Sequence, residues 1–247
     1  LSRLSPFTLA LFPNSPLLPD LPNPLLSAKH REDILTCQAL NKSILLSLGG
    51  ATYTEGGFSS PAEATTWAST LWSMFGPPPQ SSSPNNNNSA ILRPFGLASI
   101  DGFDMDFEAP TSNMAAFASA LRQLMDNSIS STGRKYWLSA APQCPFPDLA
   151  IREMLERVGF DFVSVQFYNN YCGAPSYVPG SGEPGNFNFG RWDLWAREES
   201  VNKGVKVLVG LPGSPTAAGS GYVSGEQLRA VVQYARGFGS FGGVMVW

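Results

Sequence analysis

The stretch that most constrains the fold is Ile100-Asp101-Gly102-Phe103-Asp104-Met105-Asp106-Phe107-Glu108, in which carboxylates recur at every second residue from Asp104 onward. That period belongs to a β-strand. Successive side chains on a strand point to opposite faces, so Asp104, Asp106 and Glu108 share one face while Phe103, Met105 and Phe107 share the other. The apolar face is expected to pack outward against helices. Acids on a common face repel one another and lose hydration, so the row offers no folding advantage; clustered carboxylates with shifted proton affinities mark a site. A solvated edge strand would also carry acids on one face, but the bulky apolar alternates speak against it. Glu108, last in the row and just before Ala109-Pro110, is expected at the C-terminal mouth of the strand.

Strand and helix patterns alternate along the rest of the chain. Leu4 to Phe12 reads as a strand rather than a signal-peptide core, because it lacks a basic lead-in and a small-residue cleavage site. Pro13 to Asn23 is a proline-rich loop, residues 31–40 a short helix, and Ser43 to Leu48 a continuous apolar strand stopped by Gly49-Gly50. Ser60-Pro61-Ala62-Glu63 supplies an N-cap, a proline at the first helical position and a capping-box acid, followed by an expected inward stripe of Trp67, Leu71 and Phe75. Thr111 is placed to cap a helix whose stripe is Met114, Phe117, Leu121 and Leu124. Then come a strand at Tyr136 to Ala141, a helix near 148–158 and a strand at Phe160 to Tyr168. After a Gly/Pro/Asn-rich loop from Cys172 to Asn188, a helix carries Trp192, Leu194 and Trp195. Lys206 to Gly210 is a strand, Ser224-Gly225-Glu226-Gln227 opens a helix with another capping box, and Gly242 to Trp247 is the last strand. The result is seven strands with helical crossovers, the pattern of a parallel sheet; a closed barrel of this type has eight.

All 247 residues, 43% of them apolar, fit a single barrel domain with a low-complexity insertion at about 77–89. A net charge of −3 without a basic cluster argues against nucleic acid, whose phosphates demand a positive stripe. No apolar run approaches the roughly 20 residues of a membrane helix, so a soluble protein without membrane partners is expected. His30 is the single histidine and sits among Lys29, Arg31, Glu32 and Asp33, where a solvated loop residue is expected. Histidine triads and multi-histidine zinc sites therefore lack material. Three cysteines are too few for a disulfide scaffold, although Cys144 and Cys172 each follow a strand end. Asn41-Lys42-Ser43 and Asn87-Asn88-Ser89 fit the glycosylation pattern.

Asp101-x-x-Asp104-x-Asp106-x-Glu108 resembles the DxxDxDxE signature of family 18 chitinases, and Ser47-Leu48-Gly49-Gly50 resembles that family's SxGG motif. Ala140-Ala141-Pro142-Gln143-Cys144-Pro145-Phe146-Pro147-Asp148, Val165-Gln166-Phe167-Tyr168-Asn169-Asn170 and Gly242-Gly243-Val244-Met245-Val246-Trp247 resemble the class III plant and fungal subgroup. The similarity runs from about Cys37 to the end. It implies a TIM-type (β/α)8 barrel whose first strand and last helix lie outside these 247 residues, leaving an open seam and a marginally stable chain. It also implies pairing of Cys144 with Cys172 in an oxidising compartment, leaving Cys37 odd, and a secreted protein of the extracellular space or cell wall.

The chemistry implied is chitin hydrolysis by an endo-acting enzyme without metal or organic cofactor, working as a monomer on chitin or chitooligosaccharides. Glu108 would be the general acid and base, its proton affinity raised by partial burial and by neighbouring Asp106. By the resemblance, Asp106 shares a proton with Asp104 and turns toward the substrate's acetamido group, whose oxygen is the nucleophile. Tyr168 would hold that oxygen, Gln166 and Asn169 would contact sugar, and Trp247 would floor the reactive subsite. Asp101, Gly49 and Gly50 are read as structural supports. Two alternatives stay open: an endo-β-N-acetylglucosaminidase acting on N-glycan cores, and a non-catalytic chitin-binding lectin or inhibitor on the same barrel. The presence of Glu108, Asp106 and Tyr168 together favours catalysis over the latter.

Overall fold

The structure, a computed structural model, describes residues 6–10, 24–78, 93–179 and 186–247. The Pro13 to Asn23 loop, most of the 77–89 insertion and the Asn87 sequon lie outside the described residues. Among the described residues seven strands hydrogen-bond in chain order: β1 (Pro6–Ala10), β2 (Ser43–Gly50), β3 (Gly102–Phe107), β4 (Trp137–Ala140), β5 (Phe162–Gln166), β6 (Lys206–Leu211) and β7 (Phe241–Val246). Among the described residues each gap holds an α-helix: α1 (Pro24–Ala39), α2 (Pro61–Phe75), α3 (Met114–Thr132), α4 (Arg152–Arg157), α5 (Phe189–Leu194) and α6 (Gly225–Ala235). The β1–β2, β4–β5, β5–β6 and β6–β7 pairs are parallel, as helical crossovers between successive strands require. Among the described residues this is the strand and helix repeat of an incomplete α/β barrel. By internal contacts the chain divides into two compact units, Leu1–Asp104 with Ser112–Trp137, and Met105–Thr111 with Leu138–Trp247.

In the first unit α2 and α3 lie against each other. Ser60 Oγ accepts the Glu63 N–H, and Glu63 in turn accepts from the Ser59 N–H, so the capping expected there forms one residue outward of a strict box. The buried face of α2 is Ala64, Ala68, Trp72 and Phe75, whereas Trp67 is 52% exposed. The expected Trp67, Leu71 and Phe75 stripe is therefore corrected: the face of Ala64, Ala68 and Trp72 turns inward, and the Trp72 ring meets Tyr136 edge-on at 4.9 Å. α3 likewise buries Met114, Phe117, Leu121 and Met125 rather than Leu124, and starts after Asn113 in the left-handed region (φ 59°) rather than from Thr111. α1 begins at Pro24, earlier than expected, since proline loses no bond in a helix's first turn. His30 lies on it, edge-on to Phe95 at 6.3 Å, and is not a loop residue.

In the second unit the apolar side chains Val163, Val165, Val207 and Val209 form a fully buried pair of parallel strands. Phe187 packs on Phe167 at 4.6 Å, and Trp192 packs edge-on to Phe146. Cys144 and Cys172 are disulfide-bonded, with Cα atoms 5.9 Å apart. The Cys144 carbonyl accepts from Trp192 Nε1 and Asn188 Nδ2, so the loop after β4 is fastened at one point from three directions. α4 is shorter than the 148–158 expected, because Asp148 ties up the amides of Ala150 and Ile151 in a turn before the helix begins. A π-helical turn at Trp195–Glu199 follows α5. Ser224 makes no side-chain cap bond to α6, where Gly225 (φ 55°) redirects the backbone instead. β7 has β6 as its one strand neighbour among the described residues, and Val246 on it is 69% exposed. No helix among the described residues is long and apolar enough to cross a membrane.

Candidate active site

The site in the second unit is built where β3 ends. Met105 and Phe107 are buried on one side of the strand, and the alternation sends Asp106 to the other, where it is 8% exposed. The Met105 carbonyl accepts the Ala141 N–H at 3.0 Å, which brings the segment after β4 alongside the end of β3. Glu108 follows directly and is half-buried.

Gln166, the last residue of β5, organises these carboxyls. Its Nε2 lies 3.2 Å from Asp106 Oδ1, 3.3 Å from Glu108 Oε1 and 3.0 Å from the Ala141 carbonyl. An amide nitrogen has two hydrogens for these three acceptors, so the bonds are shared and the –NH2 end must face the carboxyls. The Gln166 backbone is equally committed, donating to the Pro142 carbonyl and accepting the Cys144 N–H. The side chain is 4% exposed and has little freedom to turn away.

Burial pushes the Glu108 carboxyl above the usual carboxylate range; the Gln166 N–H draws it partly back, and the negative charge of Asp148 adds to the rise. Asp148 is itself buried, and burial raises its carboxyl against three backbone N–H bonds from Ile151, Gln143 and Ala150. The arrangement therefore holds a carboxylic acid that keeps its proton more tightly than a free glutamic acid, beside a second carboxyl steadied by the same donor. Such an acid can protonate a leaving oxygen.

Tyr168 lies just beyond β5 and is 6% exposed. Gly221 (φ 103°) rests on its backbone so closely that a Cβ there would stand 2.4 Å from the Tyr168 Cβ, so a side chain at 221 would dislodge the tyrosine. Asn169 is exposed and in the left-handed region (φ 56°), its Oδ1 accepting the Ser220 N–H at 2.9 Å. Trp247 follows β7, with its N–H donated to Leu211 and its carbonyl accepting from Gly213; its side chain is 45% exposed. Gln166 thus meets Asp106 and Glu108 directly, and Tyr168 and Asn169 continue the chain from it.

The remaining expected residues lie in the first unit. Asp104, 7% exposed, accepts from Ser47 Oγ at 3.0 Å. Gly49 and Gly50 follow with φ of 104° and 94°, values that favour glycine and explain the pair at the end of β2. Asp101 accepts from the Ile44 N–H and from Gln38 Nε2, both at 2.8 Å, and pairs with Arg134. Its contacts are those of a residue that fixes the start of β3. Ser47 and Asp148 were not singled out from the sequence: each stood inside a quoted motif, but their partners are 57 residues away or supplied by a turn. Among the described residues no group of three His, Cys, Asp or Glu could hold a metal ion.

The chain is 51% identical over 217 residues to a class III chitinase of Arthroderma benhamiae, an alignment covering 87% of this chain and 63% of that relative. It spans less than two thirds of that relative's length. Among solved structures it resembles a chitinase from Ipomoea carnea (TM-score 0.71, 31% identity, 91% of this chain and 76% of that one). It also resembles a xylanase and α-amylase inhibitor protein from Scadoxus multiflorus (TM-score 0.70, 31% identity, 90% and 74%). The family model described as Glycosyl hydrolases family 18 matches residues 26–220, and the chain belongs to that family.

Proposed function

We propose that the protein bearing this chain is a chitinase that hydrolyses β-1,4-linked N-acetylglucosamine polymers with retention of configuration, using Glu108 as general acid and then general base. The observation that carries this reading is the half-buried Glu108 carboxyl, raised in proton affinity and bonded to the Gln166 amide that also bonds Asp106. Breaking a glycosidic bond needs a proton for the leaving oxygen and electron density for the positive charge growing at the sugar carbon. Glu108 supplies the first. In this reading the second comes from the substrate: its acetamido oxygen attacks the carbon and closes an oxazolinium ring, with Asp106 accepting a hydrogen bond from the acetamido N–H. Asp104 shares the proton of Asp106, and Tyr168 holds the attacking oxygen. Glu108, now ionised, takes a proton from the water that reopens the ring, which returns the acid to its starting state.

Gln166 and Asn169 contact the sugar and Trp247 offers it an aromatic face, an arrangement that gains rate by holding the near-attack geometry. The protein is a secreted monomer in this account, which suits a polymer too large to enter a cell. A second reading, a binding protein without turnover, draws on the likeness to an inhibitor protein; the intact acid at Glu108 supports hydrolysis instead. The test compares fully N-acetylated with fully de-N-acetylated chitooligosaccharides, with the anomer of the first product read by NMR. Cleavage of the acetylated substrate alone, giving the β-anomer, is expected. Efficient cleavage of the deacetylated polymer or a first product of inverted configuration would refute the assisted mechanism, and no cleavage of either would support the binding protein.

A further inference from the structure

We propose that Gln143 is a positioning residue for this reaction: its side-chain oxygen holds Asn170, and through Asn170 the turn that carries Tyr168, in the geometry the acetamido group requires. The inference rests on the function proposed above, in which Tyr168 holds the attacking oxygen, and adds to it a residue on the loop after β4.

Tyr168 stands at the head of a turn that leaves β5 and closes on itself. The Phe167 carbonyl accepts the Ala174 N–H at 2.8 Å, and the Asn170 carbonyl accepts the Gly173 N–H at 3.0 Å. Such a turn lies beyond the strand ladder, so its place is set by what fastens it from outside. The nearest fastening is the segment after β4. Gln143 and Gln166 pair as a parallel bridge, with the Pro142 carbonyl accepting the Gln166 N–H at 2.8 Å and the Gln166 carbonyl accepting the Cys144 N–H at 3.2 Å. Residues paired in this way send their side chains to the same face, so Gln143 lies on the face from which Gln166 meets Asp106 and Glu108.

Beyond Gln166 two side-chain links join the same loops. The Cys144–Cys172 disulfide ties the far end of the turn, and Gln143 Oε1 ties its middle by accepting from Asn170 Nδ2 at 3.0 Å. The same Nδ2 lies 3.4 Å from the Tyr168 carbonyl oxygen. An amide nitrogen has two hydrogens, one for each of these acceptors, so Gln143 reaches the Tyr168 backbone through a single group. Gln143 is itself held, its N–H donated to Asp148 Oδ2 at 2.7 Å. Gln143 and Asn170 are only partly buried, so their bond adds modestly to folding, and the backbone bonds and the disulfide persist without it. A displacement of about 1 Å in a group that holds a near-attack geometry is nevertheless enough to slow the reaction.

The experiment measures kcat and KM on a chitooligosaccharide for the protein bearing this chain and for Gln143→Met, Gln143→Glu, Tyr168→Phe and the double variant of Gln143→Met with Tyr168→Phe. Methionine keeps the length of the side chain but offers no comparable acceptor, whereas glutamate keeps an oxygen for Asn170. Gln143→Met is expected to lower kcat about 3- to 10-fold, the equivalent of one hydrogen bond, with KM within about twofold of wild type. Gln143→Glu should recover most of that loss. In the Tyr168→Phe background Gln143→Met should cost nothing further, because the group it positions is already gone.

A wild-type kcat in Gln143→Met beside a slow Tyr168→Phe overturns the proposal and leaves the tyrosine's role intact. An equal loss in both backgrounds also overturns it, since Gln143 would then act independently of Tyr168. Failure of Gln143→Glu to recover the rate would assign the effect to Nε2 and overturn the role given to the oxygen. Asn170→Ala removes the same bond from the other side; if neither it nor Gln143→Met folds, the link serves folding alone and the proposal falls. A wild-type rate in Tyr168→Phe would refute the reading of the tyrosine itself, and this inference with it.

Discussion

Replacing Gln166 by leucine tests the organisation of the site in a single step. Leucine fills a similar volume but removes the Nε2 that reaches Asp106, Glu108 and the Ala141 carbonyl at 3.2, 3.3 and 3.0 Å. The Ala141 carbonyl loses a partner in a buried place, which costs about 1–3 kcal/mol of stability. A lost hydrogen bond to a charged group is worth roughly 1.5–3 kcal/mol, and if it is needed in the transition state kcat falls about 10- to 100-fold. The more telling result is the direction of the pH profile. The Gln166 N–H favours the ionised form of Glu108, so its loss, with an apolar group in its place, makes Glu108 hold its proton to higher pH. The alkaline limb of kcat should move upward. Stopped assays on a chromogenic chitooligosaccharide across the pH range, with circular dichroism to confirm folding, read both quantities. A variant that loses rate without any shift, or that shifts downward, would refute the role given to this amide.

Gly102→Ala would place a Cβ 1.9 Å from the Trp137 carbonyl oxygen, a backbone atom that cannot step aside without opening the pairing at the start of β3. A loss of about 3 kcal/mol is expected from urea denaturation, and a loss under about 1 kcal/mol would show that the strand has slack there. Asp193 accepts the Ser240 N–H at 3.0 Å and the Arg197 Nε at 2.8 Å. Burial alone would raise its carboxyl, but the Ser240 bonds and Arg197 outweigh burial and hold it below the usual range. A depressed carboxyl contributes stability above its unfolded value near ~3.9 and loses it as pH falls through the folded value. Asp193→Asn should therefore cost about 1–2 kcal/mol at pH 7, with the half-exposed Arg197 contributing little of it. The deficit should shrink toward acid pH in denaturation curves; a pH-independent deficit would contradict this.

The acidic strand was legible because two signals coincide in it: a period of two and acids on the face where folding alone would not put them. Asp106 and Glu108 fall where that period sends them, and Gln166 is on the facing strand end as the adjacent motif implied. The Cys144–Cys172 pair came from resemblance, since three cysteines allow three pairings and spacing does not choose among them. The packing faces of α2 and α3 differ from the expected stripes where alanine or methionine faces inward: Ala64 and Ala68 are buried but carry little hydrophobic weight in a sequence pattern. Ser47 and Gly221 escaped because their contacts are not local. Ser47 donates to Asp104, 57 residues further on, and Gly221 lies against the Tyr168 backbone. The left-handed Asn113 and Asn169 are similar, since only tertiary contacts distinguish them from other asparagines.

The whole account depends on a proton carried by Glu108. The direct measurement is single-turnover hydrolysis of chitohexaose by the wild-type protein and by Glu108→Gln, beside calorimetric binding of the same oligosaccharide to each. Glutamine keeps the shape and a carbonyl oxygen for the Gln166 amide but has no proton to give, so binding should persist within about tenfold while cleavage falls by 10²-fold or more. Hydrolysis by Glu108→Gln at the wild-type rate would contradict the assignment.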